Sequence, residues 1–169
     1  MLKPTSMRGI KQQQHGVMLL EALIGILIFS IGILALIALQ SASVSATSDA
    51  RYRVEAVNLA NQMLGTIWTS VDRSTPGSLQ ADLLAFKHMA GVPSETCDFA
   101  GGAASANAKV LAWQDSVAAT LPNSDAGARQ QIDVNLGAGN QVTLTICWKA
   151  PSEAASADYH RHIVVTNVH

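Results

Sequence analysis

Residues Lys11 to Gln40 read KQQQHGVMLLEALIGILIFSIGILALIALQ, and the rest of the chain is organised around them. A short polar, basic leader ends at Gly16. From Val17 to Leu39 the only polar side chains are Glu21 and Ser30. As a helix, a run of about 23 residues is roughly 34 Å long at about 1.5 Å per residue. A bilayer core needs about 20 apolar residues. Glu21 is the anomaly, because a carboxylate inside a membrane span costs several kcal/mol unless it is paired. A cut after Gly16 would place a new amino group on Val17, one helical turn from that carboxylate. The amine and Glu21 of adjacent copies would then neutralise each other inside an apolar bundle.

A glycine, a hydrophobic residue and a glutamate four positions further on, opening an apolar run behind a short basic leader, resemble the class III signal of type IV prepilins and pseudopilins. Gly16, Val17 and Glu21 stand at the matching positions. The resemblance covers about 30 residues. It implies cleavage after Gly16 by a membrane prepilin peptidase, N-methylation of Val17, and a role for Glu21 in setting assembly register. Within the family, EALIGILIFSIGILALIALQ is most similar to the PilV kind of minor pilin. The first mature position is Val17, where the family usually has Phe. Ala38 stands where major pilins carry a helix-kinking proline, which points to a minor component.

Two other readings of the stretch stay open. A secretory signal peptide would use the small residues of 41–46 for cleavage, but its apolar region is about 7–15 residues. This one is longer and contains Glu21. A single-span anchor that is never cut would leave Glu21 as an unexplained cost. In the anchor and pilin readings Lys3, Arg8 and Lys11 precede the run, so the positive-inside rule places the N-terminus in the cytoplasm. Everything after the span then faces the periplasm of a bacterial inner membrane. Domains are expected at 1–16 (leader), 17–40 (hydrophobic half-helix, serving as membrane anchor or filament core) and 41–169 (periplasmic head, including the second half of the helix).

The 169 residues carry a net charge of −1, which gives no electrostatic case for nucleic acid as the main partner. Removing leader and span leaves about 130 residues, enough for one modest core. Cys97 and Cys147 are the only cysteines. In an oxidising compartment an even pair reads as a disulfide, with free buried thiols as the alternative. There is no CxxC, so neither a redox site nor a zinc site is suggested.

Beyond the span, 40–68 contains no Pro and only Gly65. Ala50, Val54, Val57, Ala60, Leu64 and Ile67 recur at three- and four-residue intervals, with Ser48, Arg51, Glu55, Asn58 and Gln62 between them. That is amphipathic helix spacing. One helix of roughly 50 residues is expected, with a break in the Ser/Ala-rich 41–48 as the alternative. Pro76-Gly77 marks a loop over 69–78. Leu79, Leu83, Phe86 and Ala90 give a short helix closed at Gly91-Val92-Pro93. An irregular connection, 94–107, precedes a further helix through Val110, Trp113, Val117 and Leu121.

The period then changes to two. Ile132, Val134 and Leu136, a turn at 137–140, and Val142, Leu144, Ile146 and Trp148 read as a β-hairpin. Cys147 lies on the face away from Trp148, so its partner must approach from that side. A third strand is expected over 159–166. The fold class is therefore α+β. The order of long helix, short helices and antiparallel sheet resembles the pilin fold, a long N-terminal helix packed on a small sheet.

Catalytic patterns are absent: no GxSxG, HExxH or P-loop occurs. His160 and His162 share a strand face near His169, which reads as a solvated face more readily than a metal site. Asp115, Asp125 and Asp133 show no calcium-loop pattern. Trp68, Trp113 and Trp148 sit at apolar positions and are expected in the core. No cofactor and no enzymatic activity are expected.

The resemblance implies a structural subunit of a pilus initiation or tip complex. Its partners would be other minor pilins and the major pilin through their N-terminal helices, together with the prepilin peptidase and the inner-membrane assembly machinery. A minor pseudopilin of type II secretion shares the anchor signal. A membrane-anchored periplasmic enzyme or binding domain is the alternative from another class, and predicts an uncut leader and a pocket with clustered polar groups.

Overall fold

A computed structural model describes residues 15–93, 95, 97–124, 128–154, 156 and 158–169. Most of the expected leader, with Lys3, Arg8 and Lys11, lies outside the described residues, as does Asp125. The element order is α1 (His15–Ser70), α2 (Pro76–Ala85), α3 (Ala108–Thr120), β1 (Gln130–Asn135), β2 (Gln141–Trp148) and β3 (His160–Asn167). The chain divides into two compact units, Met1–Val44 and Ser45–His169. The first comprises the opening half of α1. The second is an α+β domain with one three-stranded antiparallel sheet in the order β1-β2-β3. The 41–48 segment is helical.

Within the second unit α1 contributes Ala56, Leu59, Ala60, Met63 and Ile67 to the core, with Tyr52 and Leu64 half-buried beside them. Ala60, Leu64 and Ile67 of the expected stripe thus pack as expected, and its first half does not. Val54 is 60% exposed, and Val57 and Ala50 also face outward. The helix carries two apolar stripes at helical spacing, and periodicity alone does not say which one meets the sheet. The stripe that packs holds the larger Met63, Leu59 and Tyr52. Trp68 is likewise not a core residue. It is 39% exposed, and the Arg73 guanidinium lies 5.2 Å from its ring centroid.

The 69–78 loop and the helix through Ala90 are also corrected. Pro76-Gly77 opens α2 rather than a turn. Pro occupies the first helical turn, where its missing N–H is no loss, and Thr75 with Ser78 forms a reciprocal capping box. The helix stops at Ala85, and Phe86 caps it. His88 then exchanges two backbone hydrogen bonds with Ile132, each 2.9 Å, and so covers the outer edge of β1 at that one residue. Asn107 caps α3, whose Val110, Trp113 and Val117 face the core. The indole N–H of Trp113 donates to the Leu59 carbonyl at 2.9 Å, which ties α3 to α1.

The sheet pairs Ile132 with Leu144 and Leu144 with Val164. Leu136, expected in the strand, instead opens a 3-10 turn, and Gly139 closes it with φ +73. The Asn167 side chain donates to the Ala138 and Gly139 carbonyls at 2.8 and 2.9 Å, latching the hairpin tip to β3. One sheet face, with Ile132, Leu144, Ile146 and Trp148, meets the helices. The other carries Cys147, which packs with Cys97 and Phe99 in a separate small cluster. As expected, the partner of Cys147 approaches from the side opposite Trp148. Gln131 on the same face donates to the Met89 and Val92 carbonyls at 2.8 and 2.7 Å. Met89, Val92, Cys97 and Phe99 thus cover β2, which is buried on both faces from Leu144 to Trp148.

The histidine face of β3 is a further correction. His160 and His162 lie on the half-buried side with Val164, which packs against the core. Arg161, Ile163 and Val165 face solvent instead. The register that sets Val164 beside Leu144 fixes this alternation, since side chains switch faces at every residue.

Candidate functional site

Two regions carry features beyond packing. The first is the opening of α1. Gly16 and Val17 lie in its first turn, and Glu21 follows one turn later. Val17 is 65% exposed, and the large side chains from Met18 to Leu39 are exposed in the same way around the whole helix. A helix that is apolar all round has no stable place in water and belongs in lipid or among other helices. Mean hydropathy reaches 2.9, and α1 is long and apolar enough to cross a membrane. Its two polar interruptions differ. The Ser30 hydroxyl donates to the Ile26 carbonyl at 2.7 Å and is satisfied within the helix. Glu21 has no hydrogen bond or ion pair among the described residues.

The second region is a polar junction in the head. His160 Nε2 lies 2.7 Å from Glu153 Oε1 and 3.7 Å from Asp49 Oδ1. Arg53 pairs with the same Asp49 at 3.0 Å, one turn along α1. The backbone N–H of Ala150 donates to Glu153 at 2.8 Å. That bond, then the His160 contact, holds the Glu153 carboxyl below its ordinary range. The junction ties the β2–β3 connection to α1, and Trp148 covers the His160 ring at 5.7 Å. Nearby, Tyr159 lies between two cations, with Arg129 and Lys149 4.4 and 4.5 Å from its ring centroid. Both arrangements brace a loop; neither places a nucleophile beside a base. Nothing in the sequence pointed to the junction, because Asp49, Glu153 and His160 are distant along the chain and follow no local spacing.

Cys97 and Cys147 are bonded, with Cα atoms 5.8 Å apart. His169 does not join His160 and His162; its carbonyl accepts from Arg73 at 2.8 Å. Among the described residues, no group of three or more His, Cys, Asp or Glu is arranged to hold a metal ion. A shallow groove of about 240 Å³ runs between α1 and α3, lined by Gln62, Thr66, Lys109, Ala112, Trp113 and Ser116. Its lysine reaches out to the Ser70 hydroxyl. Comparison of the chain with family models, with curated proteins and with solved structures finds no match.

Proposed function

We propose that the chain is a structural subunit of the type IV pilin family, of the PilV-like minor kind, acting in a complex that initiates or caps a pilus. The observation that carries this reading is Glu21: a carboxylate without a partner on an all-apolar helix, one turn beyond Gly16-Val17. The subunit waits in the inner membrane with its head in the periplasm. A prepilin peptidase removes residues 1–16, and Val17 gains a free, then methylated, amine. In assembly the half-helix leaves lipid for neighbouring half-helices. Lipid and apolar side chains are equivalent solvents, so packing and paired polar groups decide the arrangement. Glu21 supplies the pairing by meeting the N-terminal amine of an adjacent subunit, Val17 where that subunit is a second copy. The head contributes no chemistry; it presents a disulfide-braced surface to the periplasm and then to the pilus exterior.

N-terminal sequencing and intact mass of the membrane-extracted protein test the reading. The expected product starts at N-methylated Val17. A chain that keeps Met1 to His15 in cells that build pili would overturn it.

A further inference from the structure

The disulfide lies in a core of its own. Cys97 is 1% exposed, and Cys147 and Phe99 are fully buried. Met89, Val92 and Tyr159 pack against these three, apart from the larger core on the other face of the sheet. Polar contacts hold the small cluster shut. Gln131, itself buried, donates to both the Met89 and the Val92 carbonyls. Arg129 donates to the Cys97 carbonyl and lies over the Tyr159 ring. The Phe99 N–H donates to the Ala128 carbonyl at 3.1 Å. Cys97 has φ +53, a backbone region that residues other than glycine seldom adopt. These contacts, rather than local preference, therefore hold it in place.

Thiol–disulfide exchange needs access. A thiolate must reach one sulfur of the bond it breaks, and the other sulfur must leave with its group attached. In the closed cluster neither Cys97 nor Cys147 presents surface to a reagent. Apolar surroundings also disfavour the thiolate that attacks.

We propose that the small core is a seal on the disulfide. A disulfide-donating oxidant makes the bond before the cluster closes. Afterwards exchange proceeds only when the cluster opens locally, with the larger core still folded. In the first step one cysteine thiolate attacks the donor disulfide; the donor S–S bond breaks, a mixed disulfide forms and one donor thiol leaves. The second cysteine thiolate then attacks the cysteine sulfur of the mixed disulfide. This closes the bond between Cys97 and Cys147 and releases the second donor thiol. The cysteines lose two electrons, the donor gains them, and the two cysteine protons end on the donor thiols. Both steps need room for the donor beside a cysteine sulfur, which the closed cluster lacks. Local opening breaks the few contacts named above and leaves the larger core intact, so it is less costly than global unfolding. The inference goes beyond the assembly role and does not rest on it.

The test uses the full chain in detergent with excess dithiothreitol. Iodoacetamide labelling followed by intact mass reads the thiols released. Reduction by a thiol is the reverse of oxidation by a disulfide, so both cross the same open state. Reduction of the folded chain is expected to be at least about hundredfold slower than in unfolding guanidinium. Guanidinium below the unfolding transition should change the folded-chain rate by no more than about twofold, because a local opening exposes little surface. Gln131→Ala removes two of the bonds that hold the cluster. It should speed reduction of the folded chain about tenfold and leave the rate in unfolding guanidinium unchanged. A smaller separation between folded and unfolded rates would overturn the proposal, because the sulfurs would be reachable as they stand. So would reduction that appears only in step with global unfolding, since the whole head would then be the gate. An unchanged folded-chain rate in Gln131→Ala would overturn it as well.

Discussion

Glu21 and His162 show how one side chain can be costly in two different solvents. Glu21 has no partner among the described residues, so on the proposed reading its removal relieves a cost in lipid but leaves a neighbour's amine unpaired in an assembly. Glu21→Ala is expected to insert into membranes normally and to fall by about tenfold or more in sheared pili, the scale set by an unpaired buried charge. Immunoblots of the membrane and pilus fractions measure both. His162 is opposite in sign. Burial lowers its pKa from the ordinary value of 6.5, and its Nε2 is buried with no hydrogen bond. The folded chain disfavours the charged imidazole, so the unfolded chain binds the extra proton as pH falls. The contribution is fully present above about 6.5 and is lost from there down to the depressed folded value. Thermal unfolding across that range should show stability falling with pH, and His162→Gln should flatten the slope.

Helix α1 is the element with two apolar stripes, and only one of them meets the head. Met63 is 1% exposed and sits among the helices and sheet. Met63→Ala is expected to cost about 2–5 kcal/mol. Val54 lies on the outward stripe, and Val54→Ala should stay within about 0.5 kcal/mol. Denaturant titration of the full chain in detergent compares the two. Equal losses would mean that both stripes are packed. The same contrast holds in β3, where Val164 faces the core and Val165 does not. The capping box at Thr75 settles the start of α2 more firmly than the Pro-Gly pair suggested a turn.

At the scale of the molecule, the two units depend on different surroundings. Residues 17–44 bury nothing within the chain and need lipid or other helices; the chain should leave membranes with detergent and resist alkaline carbonate. Residues 45–169 have their own core, with the disulfide joining Cys97 to the central strand β2 at Cys147. Closing a loop of separation 50 is worth about 4 kcal/mol in the chain-entropy account. That is a large share of the roughly 5–15 kcal/mol of a small domain. Cys97→Ala with Cys147→Ala should lower the denaturation midpoint accordingly, and membrane insertion should be unchanged.

Composition and periodicity alone specified the apolar helix, the α+β order, the three strands and the face from which Cys97 reaches Cys147. These follow from rules that act along the chain: a 3.6-residue period, a two-residue period, and the length an apolar run needs to cross lipid. Tertiary packing alone decided which stripe of α1 is buried, that Trp68 is left outside, and which side of β3 its histidines occupy. It also brought Asp49, Glu153 and His160 together. Each of those outcomes depends on what lies opposite a residue in space, and a periodic pattern contains no term for the partner.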